Sequence, residues 1–424
     1  MTICDIAQFH SPLGGGVKRY LSDKRRRLSA LPNGRHVLVI PSHRHHVTTE
    51  PGSAVYEIQS LRLPGSKSYR MLLDRRRILE AVQREQPDLI EVGDPYRTAW
   101  IGLTAGRRLD VPVVAFYHSD FPRALDRTIA RLSGRLAARA LSSPIRRYVR
   151  RLYNQMDTTI VASTRLADTL QAAGFQRVIH IPLGTDPATF YPRNSRGRVR
   201  AEFNLRPETR LLLFVGRLAR EKGIKQLVGV LDRLDPAASP CHLALVGDGE
   251  LAAWVHAETI QRPNLTWLPY CDSVERLADL YSAADLFVHA GRWETFGIVS
   301  LEAQACGTPV LAVRGGGLEE SLSIEPVPLL ADDNTSESLA RAIAAASNRP
   351  DIMPAERAAR HRALAARFSI DRTFEQIFAL YSELIAQSNA RRTALQPARE
   401  QGAGPTPVRD DAEQDRSASK TGAG

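Results

Sequence analysis

The chain has 424 residues, with 57 Lys and Arg against 46 Asp and Glu, and aromatics at only 6%. That length suits two to three domains with full cores, and no apolar run approaches the roughly 18 residues a membrane span needs. The charge is uneven, because residues 1–188 hold 29 basic and 16 acidic side chains while the remainder holds 28 and 30.

A basic first half raises a nucleic-acid or membrane-surface partner. The cysteines Cys4, Cys241, Cys271 and Cys306 have no metal-ligand spacing and read as buried thiols in a reducing cytoplasm. The opening residues Met-Thr-Ile-Cys-Asp-Ile-Ala read as a first strand, not as an export signal.

Thr2 to Phe9 is an apolar strand, followed by the loop Ser11-Pro12-Leu13-Gly14-Gly15-Gly16 and a helix from Val17 through Arg27. As a dinucleotide fingerprint this is poor, since Tyr20 stands where a third Gly is expected. On local grounds the glycines are a flexible turn. Val37 to Ile40 is the next strand. Residues 43–70 are polar, and His43, His45 and His46 lack a nearby carboxylate or Cys, so the segment reads as a solvated loop.

Leu89 to Val92 is a strand ending at Gly93-Asp94, and Val111 to Tyr117 is another, ending at His118-Ser119-Asp120. Ligands gather at the carboxyl ends of strands in open α/β sheets, which places Asp94 and His118 where chemistry occurs. A His after a buried strand is also a common structural hydrogen-bonding residue. Arg123, Arg127, Arg131, Arg135 and Arg139 then recur every fourth residue, with Leu125, Ile129, Leu132 and Leu136 on another face. Residues four apart lie nearly above one another on a helix, so this is an amphipathic helix with an arginine row and an aliphatic stripe. Such a row is either a solvated face or a surface for acidic lipid headgroups or a phosphate-bearing acceptor.

Thr158 to Ala162 is a strand, capped into a helix by Ser163-Thr164, and residues 187–208 form a linker. Leu211 to Val215 leads into Gly216-Arg217-Leu218-Ala219-Arg220-Glu221-Lys222-Gly223. Arg217 and Lys222 are either two surface cations or a diphosphate clamp that joins a planar fork to a mobile point charge. His242 to Val246 with Gly247-Asp248-Gly249, and Leu265 to Tyr270, continue the alternation.

After the run Ala284 to His289, Glu294 sits in a loop and a helix is expected from near Thr295, stopped by Gly307 and Pro309. Glu294 and Glu302 would stand about 12 Å apart if that span were helical. They would hold two parts of a long ligand, or else cap the helix and face solvent. Phe374 to Ile385 is a helix, and from about Gln387 apolar content nearly vanishes.

Glu294, seven intervening residues and Glu302, with Thr295-Phe296-Gly297 between them and Ala305-Cys306-Gly307-Thr308-Pro309-Val310 after, resemble the signature of family 4 retaining glycosyltransferases. These have the GT-B fold. The resemblance implies that Glu294 faces the donor sugar, that Glu302 holds the nucleotide ribose, and that backbone N–H groups around Phe296 and Gly297 face the phosphates. Gly216-Arg217-Leu218 and Glu221-Lys222-Gly223 are similar to the family segment whose Arg and Lys bind the donor diphosphate. By the same resemblance Gly14, Gly15 and Gly16 lie in the cleft beside diphosphate and acceptor, His118 meets the donor sugar, and Asp120 lies on the acceptor side. Asp94, Arg123 and Arg127 are expected on that side too. Leu183 stands where relatives usually carry Asn, and Pro269 where they usually carry Gly.

The expected architecture is α/β of the GT-B type, two doubly wound Rossmann-like domains facing a cleft. Its parts are an acceptor-side domain at 1–188, a nucleotide-sugar domain at 189–370, a helix at 371–388 crossing back to the first domain, and a disordered tail at 389–424. The implied activity is metal-independent, retaining transfer of a sugar from a nucleotide diphosphate sugar to a hydroxyl of a glycan or lipid. The arginine row at 123–139 would meet an anionic membrane on its cytoplasmic face. No Asp-x-Asp occurs in the chain, so neither a metal nor a cofactor is expected at the diphosphate. Two alternatives are an epimerase or phosphorylase on the same architecture, and a non-enzymatic nucleic-acid binder. The second is disfavoured because no aromatic interleaves with the arginine row to stack bases.

Overall fold

The computed structural model describes residues 1–8, 10, 15–63, 69–271, 273–325, 327–347 and 352–401. In the first lobe β1 (Thr2–Ile6) leads to α1 (Gly16–Ser29), β2 (Arg35–Ser42), β3 (His46–Glu50), β4 (Ser53–Gln59) and the short β5 (Leu61–Arg62) and β6 (Arg70–Met71). Then follow α2 (Arg75–Glu85), β7 (Leu89–Val92), α3 (Arg97–Leu109), β8 (Val113–Phe116), α4 (Phe121–Tyr153), β9 (Thr158–Val161), α5 (Thr164–Ala172) and β10 (Val178–His180). Eight strands make one sheet in the order β10-β9-β8-β7-β1-β2-β4-β3. All neighbours are parallel except the β3–β4 edge pair.

The second lobe opens with α6 (Arg196–Glu202) and β11 (Arg210–Val215), then α7 (Ile224–Val230), β12 (Cys241–Val246), α8 (Ala252–Gln261), β13 (Leu265–Leu268) and α9 (Val274–Ala283). It continues through β14 (Leu286–Val288), α10 (Ile298–Ala305), β15 (Val310–Val313), β16 (Leu329–Ala331), α11 (Ser336–Ser347) and α12 (Pro354–Phe368), and the chain closes with α13 (Ile370–Gln401). Its six-stranded sheet has the order β13-β12-β11-β14-β15-β16 and is wholly parallel. Strands covered by helices on both faces are apolar throughout, as Leu211 to Val215 and Leu243 to Val246 are, and both runs are buried. Two apolar clusters fill one lobe each. A third runs from Tyr20 and Phe116 through Leu183 and Phe190 to Phe287, Phe296 and Phe374, so the lobes share a core along the hinge.

The chain crosses between lobes twice, side by side. Thr185 N–H donates to the Phe368 carbonyl at 2.9 Å and Ile370 N–H to the Thr185 carbonyl at 2.9 Å. Gly184 makes the approach possible, since a Cβ there would lie 2.4 Å from the Ser369 carbonyl group. Helix α13 then returns along the first lobe. Its Tyr381 hydroxyl bonds Glu91, and fully buried Lys24 reaches Asp5 Oδ1 at 2.8 Å, Glu91 Oε1 at 2.8 Å and the Tyr381 hydroxyl at 3.1 Å. His36 Nε2 holds the other Asp5 oxygen at 2.6 Å. Burial alone would raise the Asp5 carboxyl, but Lys24 and His36 outweigh it and hold the group well below the carboxylate range. Burial lifts Glu91 to about 7.

Four sequence expectations are corrected. Residues 43–70 are not a plain loop: β4 adds a parallel strand, with Ala54, Tyr56 and Ile58 buried at period two, and β3 folds back on it as an exposed edge. The arginine row is not one straight face. Gly134 takes φ 87°, outside helical space, and interrupts α4 between Arg131 and Arg135, while Leu136 from the expected stripe is 80% exposed. The last helix begins at Ile370 and runs to Gln401, so residues 389–401, assigned to a disordered tail, are helical; 402–424 lie outside the described residues. Cys271 is partly exposed, unlike the other three thiols.

Candidate active site

The loops that follow the carboxyl ends of β1, β7 and β8 in one lobe, and of β11, β14 and β15 in the other, carry most of the predicted site residues. Beyond β11, the turn Arg220–Lys222 ends at Gly223, whose φ is 71°. A Cβ there would meet the Ala290 side chain at 2.6 Å, so glycine lets this turn pack on the end of β14. Lys222 forms an ion pair with Glu294. Arg217 lies nearby in the same loop and donates to Glu221 at 2.7 Å.

His289 completes this group and was not singled out by sequence. Its Nδ1 accepts from Gly291 N–H at 3.2 Å, which leaves the ring proton on Nε2, 3.3 Å from Glu294 Oε1. Burial, helped by the Lys222 charge, lowers His289 to about 3, so the ring is neutral and donates to the carboxylate. The backbone of Glu294 is enclosed as well. A Cβ on Gly317 would fall 1.6 Å from the Glu294 carbonyl oxygen, so the triple-glycine loop after β15 is what lets that backbone lie against it.

The helix expected from Thr295 begins at Ile298 instead. Gly297 adopts φ 80°, a left-handed conformation, and stands as the N-cap, while Phe296 is buried against Phe368. Glu294 and Glu302 therefore do not share a helix, and their separation is set by a loop. Glu302 is 3% exposed, accepts from the Tyr281 hydroxyl at 2.9 Å, and pairs with Arg19 of α1 in the opposite lobe. Burial raises the Glu302 carboxyl above its ordinary range, with Arg19 and the Tyr281 hydroxyl pulling it down.

Across the cleft, the His118 ring stacks on Phe116 at 4.3 Å and stands edge-on to Tyr20 at 5.1 Å. Burial and then the Lys24 charge lower it to about 3, so the ring is neutral at working pH. The His118 carbonyl accepts from Thr295 Oγ1 at 3.0 Å, which ties it to the residue beside Glu294. Trp293, on the other side of Glu294, lies under the Arg123 guanidinium at 4.1 Å. Three consecutive residues thus reach Arg123, the Lys222–His289 pair and His118 in turn.

Asp120 caps α4, accepting from Arg123 N–H at 3.3 Å. Asp94 is buried and serves its own loop, accepting from Thr98 Oγ1 at 2.6 Å and Tyr96 N–H at 3.0 Å, and burial raises it to about 6 against those bonds. Gly15 has φ 109° and begins α1 with Gly16. Gly14 and the Arg127, Arg131 and Arg135 side chains lie outside the described residues. The structure thus gathers Lys222, His289 and Glu294 into one cluster, with Arg217 in the same loop as Lys222, joins His118 to them through Thr295, and sets Glu302 with Arg19 and Tyr281.

The sequence family described as glycosyl transferases group 1 matches residues 195–363, and that described as glycosyltransferase family 4 matches residues 14–189. A GDP-mannose-dependent alpha-mannosyltransferase of Mycobacterium tuberculosis strain CDC 1551 is 30% identical over 280 residues, covering 66% of this chain and 69% of that protein. A GDP-mannose-dependent alpha-(1-6)-phosphatidylinositol dimannoside mannosyltransferase of Mycobacterium tuberculosis strain H37Ra is 28% identical over 376 residues, 87% of this chain and 91% of the relative. Among solved structures, a sucrose-phosphate synthase from Thermosynechococcus elongatus superposes with a TM-score of 0.71 at 21% identity, over 91% of this chain and 100% of the other.

Proposed function

Since the chain belongs to the family 4 glycosyltransferases and has their GT-B fold, we propose that it transfers a sugar from a nucleotide diphosphate sugar to an acceptor hydroxyl, retaining the anomeric configuration. The observation that carries this is the Lys222–Glu294–His289 cluster, tied through the Thr295 hydroxyl to the His118 carbonyl of the other lobe. The two mannosyltransferases named above are described as GDP-mannose-dependent, which makes GDP-mannose the first donor to test.

In the proposed step the bond from the sugar C1 to the diphosphate oxygen breaks, and the nucleotide leaves with the electron pair. Arg217, Lys222 and the backbone N–H groups before α10 take up its charge, a stabilisation that usually dominates rate. The acceptor oxygen bonds C1 on the same face, and its proton passes to a departing phosphate oxygen. Lys222 exchanges Glu294 for phosphate, and Glu294 turns to the sugar hydroxyls while His289 fixes its orientation. Neutral His118 hydrogen-bonds the sugar from the other lobe. No divalent ion enters this scheme.

A membrane-borne acceptor is supported by α4, where Leu136, Leu141 and Tyr148 are exposed among Arg139, Arg146 and Arg147. Apolar side chains interspersed with cations suit an anionic interface. No described helix is long and apolar enough to cross a membrane. Sedimentation with anionic but not neutral vesicles at low salt is expected, and equal binding to both would exclude the surface. For the reaction, thermal stabilisation is measured with GDP-, UDP- and ADP-sugars, and the product anomer of the best donor is read by NMR. The largest shift is expected with GDP-mannose, and an inverted product would refute the mechanism.

A further inference from the structure

Both carboxylates assigned to the donor are held by cations of the chain itself. Glu294 is held by Lys222, of its own lobe, and Glu302 by Arg19, which comes from α1 of the other lobe. Tyr281 already donates to Glu302 Oε2 at 2.9 Å, and Arg19 takes Oε1. A carboxylate is acceptor-only, and the two hydroxyls of a ribose need room on it. A ribose diol reaching Glu302 therefore competes with Arg19 for Oε1.

The displaced guanidinium has few other places to go. Asp23, one turn further along α1, is engaged by Arg26 at 2.8 Å and Arg27 at 3.3 Å. The nearest new anion is the diphosphate, which is bonded to the same ribose. Arg19 also sits in the first turn of α1, a helix with no acidic residue there and no side-chain cap from Gly15. Gly16 packs towards Ile298, the first residue of α10, since a Cβ on it would stand 3.7 Å from Ile298 Cδ1. Two helix N-termini from different lobes thus meet beside Arg19, an arrangement that favours an anion. The Phe190 ring under the guanidinium at 5.3 Å gives it a flat surface to turn on.

We propose that Arg19 is the residue by which the first lobe reads the donor: it guards Glu302 until a ribose diol displaces it, then places its guanidinium on the adjoining diphosphate. This rests on the assignment of Glu302 to the ribose. The exchange moves a cross-lobe contact from α10 to the donor, so a nucleoside diphosphate holds the lobes together and a nucleoside does not.

The test is calorimetric titration of wild type, Arg19→Gln and Arg19→Lys with the tightest of GDP, UDP and ADP and with its own nucleoside. Arg19→Gln is expected to weaken the diphosphate by about 10- to 100-fold, the range of a charged hydrogen-bonded contact. It is expected to leave the nucleoside unchanged or tighter, because Glu302 is released. Arg19→Lys keeps the charge without the planar fork and falls between; it also carries the comparison if Arg19→Gln fails to fold. Equal weakening of diphosphate and nucleoside would mark a merely structural residue and overturn the proposal, as would an unchanged ratio in both variants. Failure of wild type to bind any of the three diphosphates would instead sink the donor reading itself.

Discussion

Lys24→Met removes one positive charge from a fully buried cluster while keeping an unbranched side chain only one atom shorter. Lys24 Nζ lies 2.8 Å from both Asp5 and Glu91 and 3.1 Å from the Tyr381 hydroxyl on α13, so the variant leaves two carboxylates facing each other under the crossing helix. Breaking a buried pair from one side costs about 3–5 kcal/mol. Asp5 keeps His36 at 2.6 Å, and Glu91, already lifted to about 7, takes a proton once Lys24 is gone. The low end, about 3 kcal/mol at pH 7, is therefore expected.

The variant also acquires a pH dependence. Its folded Glu91 stays protonated above the pH at which the unfolded group ionises, so the folded state binds more protons and loses stability as pH rises. Each unit above pH 7 removes about 1.4 kcal/mol until Glu91 ionises, roughly 2 kcal/mol more at pH 8.5. Urea unfolding followed by circular dichroism at pH 7 and 8.5 measures both terms, and Glu91→Gln in the Lys24→Met background should abolish the extra slope. A loss below about 1 kcal/mol at both pH values, or a slope that survives the double substitution, would refute the reasoning.

Lys222→Ala and Glu294→Ala should each lower transfer by about 10²–10³-fold with the fold intact, as losing one oxyanion contact does; steady-state kinetics beside circular dichroism reads this, and wild-type turnover in either would remove the site assignment. His289, depressed from 6.5 to about 3 by burial, makes the folded state bind fewer protons than the unfolded one, so its stability is present above pH 6.5 and lost as pH falls. His289→Gln should therefore reduce the loss between pH 7 and 5 by about 2 kcal/mol, and parallel pH–stability curves would contradict this. Gly223→Ala forces an alanine to φ 71° and its Cβ against Ala290, so it should destabilise by more than about 1 kcal/mol and weaken nucleotide binding through Lys222; unchanged melting and affinity would count against the packing account.

The parallel strands were legible because burial on both faces leaves apolar runs, as at Leu211 to Val215, and the motif from Glu294 to Pro309 marked the family. β4 escaped because its alternation involves only Ala54, Tyr56 and Ile58 inside a polar stretch. The kink in α4 escaped because a helical period continues through Gly134 in sequence even where the backbone does not. The start of α10 was misplaced because Gly297 was read inside a helix, whereas its left-handed φ caps one. Arg19 carried no local signal, and His289 carried only its place at the end of a strand. One pairs with a residue in the other lobe, and the other looks like any histidine closing a buried strand until Gly291 and Glu294 are placed around its ring.

The central claim is that cationic side chains, and not a divalent ion, neutralise the departing nucleotide. Sugar transfer by the wild type and by Lys222→Ala, each assayed with excess EDTA and again with manganese, tests it most directly. The account predicts unchanged wild-type turnover in EDTA and slow transfer by Lys222→Ala under both conditions. Wild-type transfer that vanishes in EDTA and returns with manganese would contradict it.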